Sequence, residues 1–148
     1  LHKEYRRQRQ MCIRDRIDNI DKGGYLVKEN DNASISLVAS GSELQLILDA
    51  AEALEKDFGI ASNVISMPCL DRFLDNEDDY HSSILKPNLP ILVVELSHPN
   101  SWYKLLNKKD KVLGVETFGE SAPANILLEH FGFTTPNVVE MAKSLVDE

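Results

Sequence analysis

The sequence predicts an α/β fold, a three-layer sandwich in which a mostly parallel, twisted sheet carries helices on both faces. Short runs rich in β-branched residues alternate along the chain with segments of helical periodicity. The run Leu89–Leu96 is almost continuously apolar, which is typical of a strand covered on both faces. The run Ser34–Ala39 leads through Gly41 into an amphipathic helix, and such strand–helix units build parallel sheets.

Five strands are predicted from these runs. In order they are Tyr25–Lys28 (after the Gly23-Gly24 turn), Ser34–Ala39, Ala61–Met67, Leu89–Leu96 and Lys111–Glu116. Residues 70–85 are polar and acidic, which indicates short surface helices anchored by a few apolar side chains, namely Phe73, Leu74, Tyr80, Ile84 and Leu85. Another short helix is predicted over Ser101–Leu106.

The helix after the second strand has the clearest signals and is predicted from Ser42 to Phe58. Ser42 lies three residues before Gln45, the spacing of a capping box. Gly59 follows the helix as a C′ glycine. One apolar stripe is expected to face the sheet, formed by Leu44, Ile47, Leu48, Ala51, Leu54 and Phe58.

Two more helices are predicted toward the end of the chain. Ser121 caps the first, which runs through Phe131 with Pro123 in its first turn and Gly132 just past its end. The pair Thr135-Pro136 begins the last helix, whose apolar side consists of Val138, Val139, Ala142, Leu145 and Val146.

Composition indicates one ordinary globular domain. The chain has 148 residues, of which 43% are hydrophobic and 27% charged. Its longest apolar runs are too short to cross a bilayer, and we expect no membrane partner. No secretory signal is recognisable, and two cysteines do not make a disulfide framework, so the expected compartment is the cytoplasm.

Charge divides the chain into two parts. Residues 1–16 hold six basic and two acidic side chains, a net charge of +4, whereas residues 17–148 hold ten basic and 22 acidic ones, a net charge of -12. The negative charge of residues 17–148 repels phosphate backbones, which argues against a nucleic-acid partner. The segment 1–16 is predicted to be a basic, disordered tail, with a basic interaction arm as the alternative. Met11–Arg16 is also similar to translated adapter sequence, so a non-native origin stays open for this tail.

The motifs of cofactor and metal chemistry are missing from the sequence. Neither a dinucleotide-binding glycine motif nor a P-loop occurs, and the four histidines form no metal-binding pair, so no catalytic, cofactor-binding or metal-binding residue is predicted. Two turns into helices are candidate anion sites, because a helix N-terminus exposes N–H groups and a positive dipole end. Their residues are Gly41 and Ser42 in one turn and Gly119 and Ser121 in the other. Plain helix capping is the alternative for both turns.

Several ordered strings resemble the third, C-terminal domain of transketolases from about Asn19 onward. The more specific ones are Thr117–Pro123 (Thr-Phe-Gly-Glu-Ser-Ala-Pro) and Glu129–Thr134 (Glu-His-Phe-Gly-Phe-Thr). The others are Gly23–Val27, Ala39–Glu43, Val64–Pro68, and Tyr80 with Ser83–Pro87. The chain departs from the family pattern at Leu96–Asn100, which leaves the role of the loop Ser97–Asn100 open.

The resemblance implies that residues 17–148 are one domain of a larger enzyme. Transketolases transfer a two-carbon ketol unit between sugar phosphates, in the pentose phosphate pathway, with thiamine diphosphate and a divalent metal (Mg²⁺ or Ca²⁺). The family's cofactor-binding residues lie in the N-terminal and middle domains, so this chain alone is expected to be inactive and to need those domains in a homodimer. Two alternatives stay open: a non-catalytic module that binds anions or sugar phosphates, and the equivalent domain of deoxyxylulose-phosphate synthase or of a 2-oxoacid dehydrogenase.

Overall fold

A computed structural model describes residues 17–96, 99–115 and 128–147. The strands are β1 (Tyr25–Lys28), β2 (Ile35–Ala39), β3 (Ser62–Ser66), β4 (Ile91–Val94) and β5 (Lys111–Leu113). The helices are α1 (Glu43–Phe58), α2 (Leu70–Leu74), α3 (Asp78–Ile84) and α4 (Thr135–Asp147), with 3₁₀ helices at Ile17–Lys22 and Pro99–Trp102.

The strands form one sheet in the order β1-β3-β2-β4-β5. Strand β1 is antiparallel to β3, and every other pairing is parallel. The prediction of a mostly parallel sheet is confirmed. The chain leaves β2 toward β3 on one side and later returns to β4 on the other side. The strand order therefore reverses between β2 and β4.

Helices cover both faces of the sheet, as predicted. Alternate residues of the strands point to opposite faces, so Leu37 and Leu92 belong to one apolar cluster while Val38 and Val93 belong to the other. The first cluster packs under α1 and α4. The second packs under α2, α3 and the buried Trp102. The result is the three-layer sandwich that the apolar runs predict.

The predicted ends of the best-marked helix are partly confirmed. Gly59 has a φ of 65° and its N–H donates to the Glu55 carbonyl, which is the expected left-handed C-terminus. The capping-box prediction is wrong, because Ser42 already has helical angles (φ -67°, ψ -26°) and makes no side-chain cap. A capping side chain needs extended backbone to reach back to the first turn. Gln45 instead donates to the Asp49 carboxylate at 2.8 Å.

Phe58 departs from the predicted apolar stripe of α1. Its side chain is 47% exposed and belongs to neither apolar cluster. The ammonium of Lys143 in α4 lies 3.9 Å from the centre of its ring. The face of α1 that is buried consists of Ile47, Leu48, Ala50, Ala51 and Leu54, together with Glu43.

Other elements follow the sequence with shorter bounds. Two short helices occupy the acidic segment 70–85, and Phe73 is fully buried there. The helix predicted over Ser101–Leu106 is instead a 3₁₀ helix that starts at Pro99. Of the helix predicted from Ser121 to Phe131, residues 128–130 are helical and Phe131 lies in a turn. Residues 121–127 lie outside the described residues, as does the tail 1–16.

The segment that enters β1 is clamped against α2 and α3. The Gly23 carbonyl accepts the N–H of Cys69 at 3.0 Å, and the Tyr80 hydroxyl donates to the Gly24 carbonyl at 2.6 Å. Asn76 donates from its side-chain amide to the Lys22 carbonyl at 2.8 Å. Gly23 has a φ of 85°, and a Cβ atom there would overlap the backbone of α2.

We expect Gly23→Ala to destabilise the domain by about 2–4 kcal/mol, because it combines a left-handed backbone with a steric overlap. Gly59→Ala is the matched control, since Gly59 has a φ of 65° but open space around it. Gly59→Ala should lower the free energy of unfolding by about 1 kcal/mol, because only the left-handed backbone disfavours the alanine. Urea unfolding of both variants measures the difference. Equal losses would show that the close packing of Gly23 contributes nothing.

Candidate functional site

The candidate site lies at the carboxyl edge of the sheet, where the strand order reverses. Open α/β sheets bind ligands in the crevice beyond the carboxyl ends of the strands at such a point. Strands β2 and β4 end side by side here, with Ala39 opposite Val94. The next residue after each strand is polar: Ser40 after β2 and Glu95 after β4.

Two carboxylates and two serines form this switch-point cluster, which we define as Ser40, Ser42, Glu43 and Glu95. The Ser40 hydroxyl donates to the Glu95 carboxylate and so joins the loops that follow β2 and β4. The Ser42 hydroxyl donates to Glu43 at 2.9 Å. Glu43 is 8% exposed, although it is the first residue of α1.

Burial raises the pKa of Glu95 above its ordinary value of 4.5, because removal from water disfavours the charged carboxylate. The hydrogen bond from Ser40 lowers the pKa, and the nearby charge of Glu43 raises it, so the net change is upward. The cluster therefore places two carboxylates close together in a partly dry crevice. Such an arrangement attracts protons and cations and repels anions.

The cluster bears directly on the anion-binding turns predicted from the sequence. Gly41 has a φ of 56° and is exposed at the turn into α1, as a glycine in a tight turn should be. Around that turn, however, lie Glu43 and Glu95, whose charges oppose the favourable helix dipole. Anion binding at Gly41 and Ser42 stays a prediction, with these carboxylates as the physical argument against it. Gly119 and Ser121 of the second turn lie outside the described residues.

The described residues offer little else that could do chemistry. No three histidine, cysteine, aspartate or glutamate side chains gather there in an arrangement suited to a metal ion. Cys69 is exposed and is a free cysteine. Within the same ranges, no helix is long and apolar enough to span a bilayer. Ser97 and His98 of the divergent loop fall in the gap before Pro99.

Sequence reasoning missed the contact between Ser40 and Glu95. The two residues are 55 positions apart, so no local motif contains both. One signal could have found them, because Ser40 directly follows the predicted strand Ser34–Ala39 and Glu95 is the one charged residue in the predicted apolar run Leu89–Leu96. Residues in that position of adjacent parallel strands meet at the same edge, but the adjacency of β2 and β4 is known only from the strand order.

We expect Glu95→Gln to stabilise the domain at neutral pH. A raised pKa means that the folded state binds the proton more tightly than the unfolded state, so stability falls as pH rises from 4.5 through the folded pKa. Glutamine keeps an acceptor for Ser40 and removes the charge. The increase in the free energy of unfolding should be largest at pH 7 and should shrink as pH falls toward 4.5 and below. Urea unfolding from pH 4 to 8 measures it, with the exposed Glu52→Gln as control. Parallel pH profiles for the two variants would contradict the assignment.

Ser40→Ala should act in the opposite direction. Loss of the hydroxyl removes a hydrogen bond to a charged group and raises the pKa of Glu95 further, so we expect a loss of about 1–2 kcal/mol at neutral pH. NMR titration of the Glu95 carboxyl carbon measures the pKa in both proteins. An unchanged titration in the variant would show that the Ser40 contact does not act on the carboxylate.

Comparison with known proteins identifies the family. The family model described as the transketolase-like TK C-terminal domain matches residues 23–134. A probable transketolase of Schizosaccharomyces pombe is 37% identical over 131 residues, which cover 88% of this chain and 19% of the relative. Transketolase 1 of Vibrio vulnificus strain YJ016 is 39% identical over 134 residues, which cover 89% of this chain and 20% of the relative.

Solved structures agree with the sequence matches. A transketolase from Campylobacter jejuni superposes with a TM-score of 0.77 at 40% identity, over 84% of this chain and 19% of that one. A Pichia stipitis transketolase superposes with a TM-score of 0.81 at 35% identity, over 88% of this chain and 19% of that one. Neither alternative from the sequence analysis is favoured by these matches.

The chain thus spans about a fifth of the length of the relatives it matches. Its mostly parallel sheet, its helical layers and its ordered strings all coincide with one part of those enzymes. This chain belongs to the transketolase family and corresponds to the family's C-terminal domain.

Proposed function

We propose that this chain acts as the C-terminal structural domain of a transketolase and catalyses nothing by itself. The observation that carries the proposal is the match of residues 23–134 to the C-terminal family model, in a chain that covers 19% of its S. pombe relative. The role of the domain is to pack against the middle domain and to support the homodimer. The proposed compartment is the cytoplasm.

The assembled enzyme transfers a two-carbon ketol unit between sugar phosphates, and we place that activity in the pentose phosphate pathway. One structural relative, the Pichia stipitis transketolase, was solved in complex with xylulose 5-phosphate. A ketose phosphate of this kind is the donor substrate that we propose for the whole protein.

Thiamine diphosphate and Mg²⁺ or Ca²⁺ are proposed for the whole enzyme, but the described residues do not fit them. A diphosphate needs several N–H donors or cations, and its metal needs oxygen ligands that converge. The best-formed turn, at Gly41, has Glu43 and Glu95 around it and no basic side chain paired with either carboxylate among the described residues. No metal-binding group of three side chains occurs in those ranges either. The proposed cofactor site therefore lies in the other domains.

Packing explains how a domain without reactive groups can still be needed for activity. Its five-stranded sheet is covered on both faces, so it presents a rigid outer surface. Active sites that lie between domains lose activity when a supporting element shifts by about 1 Å. A rigid domain docked on the middle domain limits such shifts.

We expect the purified chain to show no ketol transfer from xylulose 5-phosphate to ribose 5-phosphate, because the electron sink of the reaction is the cofactor. The assay includes excess thiamine diphosphate and Mg²⁺, with intact Vibrio vulnificus transketolase as the active control. Turnover above the protein-free rate that depends on thiamine diphosphate would overturn the inactive assignment.

A domain exchange tests the structural role. In the Vibrio vulnificus enzyme, residues 17–148 of this chain replace the matching segment, and deletion of that segment is the comparison. We expect the exchanged enzyme to form a dimer and to regain ketol transfer, whereas the deleted enzyme does neither. An exchanged enzyme that also carries Gly23→Ala should lose dimer formation and ketol transfer at a lower temperature than the exchanged enzyme without this substitution. An exchanged enzyme that assembles no better than the deleted one would contradict the proposal.

A further inference from the structure

A cleft of about 1120 Å³ opens at the amino ends of the parallel strands, on the edge of the sheet opposite the switch-point cluster. Its lining is mixed, and the apolar side chains in it include Ile91 at the start of β4, Leu85 and Leu105. Leu145, near the end of α4, contributes to another wall. Lys104 and Lys109 line the cleft as well, and both are exposed.

The loop that carries Lys109 is fixed to the sheet by Asp110. One carboxylate oxygen of Asp110 accepts the N–H of Ile91 at 2.8 Å, and the other accepts the N–H of Asn107 at 2.8 Å. The N–H of Asp110 donates to the Asn107 carbonyl at 3.0 Å. Both oxygens of this acid are thus used by backbone donors. The acid shapes the loop and is not paired with either lysine.

Positive charge is concentrated around this cleft. Four of the ten basic residues of 17–148 fall within eight positions, namely Lys104, Lys108, Lys109 and Lys111. Lys86 also lines the cleft, but its ammonium lies 3.3 Å from Glu29 and donates to the Ser83 carbonyl at 2.9 Å. Lys104 and Lys109 pair with no carboxylate in the described part of the chain.

In this cleft, nearby charges affect a ligand more than the net charge of residues 17–148 does. Residues 17–148 carry a net charge of -12, which by itself repels anions. At physiological ionic strength the Debye length is about 8 Å, so carboxylates farther away are largely screened. An anion in the cleft therefore interacts mainly with the charged groups that line it, which are Lys86, Lys104, Lys109 and the Asp110 carboxylate, whose two oxygens already accept backbone N–H groups.

We propose that this cleft binds a small organic anion, a phosphate monoester or a carboxylate, whose charged group contacts Lys104 and Lys109. The carbon part of the ligand lies against the apolar lining residues Leu85, Ile91 and Leu105. Small-molecule sites commonly combine apolar side chains with a few polar groups in volumes of roughly 300–1,000 Å³, so a small ligand would occupy only part of this cleft. The proposal goes beyond the structural role of the domain, which requires no ligand.

The test is a titration of the ¹⁵N-labelled chain, with phenyl phosphate as the probe and inorganic phosphate as its comparison. We expect saturable shifts of the backbone amides of Leu105, Asn107, Lys109 and Ile91, tighter binding of phenyl phosphate than of inorganic phosphate, and weaker binding at higher salt. Shifts that do not saturate, or equal affinity for the two probes, would overturn the proposal.

Variants locate the charge contact. Lys104→Gln and Lys109→Gln should each weaken phenyl phosphate binding by up to about fivefold, since exposed charge pairs contribute at most about 1 kcal/mol. The double variant should weaken it further. Lys22→Gln, at the opposite edge of the sheet, is the control and should leave the affinity unchanged. All three lysines are exposed, and the contact of the Lys22 ammonium with the Tyr80 ring, 4.3 Å from its centre, is too weak to decide folding, so the variants should fold normally. An unchanged affinity in the double variant would contradict the proposed anion site, whatever the outcome of the ketol-transfer assay.

Discussion

The fold depends on the complete burial of strand β2. All five residues, Ile35–Ala39, are buried, with β3 and β4 hydrogen-bonded on the two edges and helices over both faces. Each large apolar side chain of β2 contributes roughly 1.5–3 kcal/mol on burial. The Ser36 hydroxyl lacks a hydrogen-bond partner among the described residues, which costs about 1–3 kcal/mol. The apolar gain exceeds this loss, so a central strand with one unsatisfied serine is tolerated.

The central position of β2 also decides where the polar groups meet. Because β3 and β4 lie on opposite sides of it, the loops after β2 and β4 leave in different directions and open a crevice between them. The contact between Ser40 and Glu95 partly closes that crevice and joins the two loops. Acidic groups collect at this edge of the sheet, whereas lysines collect at the other. A pair of carboxylates thus lies at one edge of the sheet and two lysines without an ion-pair partner among the described residues lie at the other.

Much of the fold could be predicted from the sequence, because burial on two faces leaves a direct pattern. The apolar run at β4 and the left-handed Gly59 after α1 both appear as expected. The predicted capping box did not form. The motif is recognised by the spacing of Ser42 and Gln45 alone, whereas the cap also needs an extended backbone at Ser42, and the turn at Gly41 leaves Ser42 with helical angles. The candidate site was harder to predict. Contacts such as Asp110 with Ile91 depend on which strands are neighbours, and hydrophobic periodicity carries no information about strand order.

The reversed direction of β1 determines how the domain is tethered. Since Tyr25 pairs with Ser66 at the end of β3, the polypeptide reaches the sheet at the carboxyl edge, whereas α4 ends near the amino edge beside Ile91. A five-residue strand is about 16 Å long, so the two attachment points lie roughly that far apart along the strand direction. Mechanical load between the two ends would therefore act along the strand direction, and the hydrogen bonds of Tyr80, Asn76 and Cys69 to residues 22–24 would bear it first.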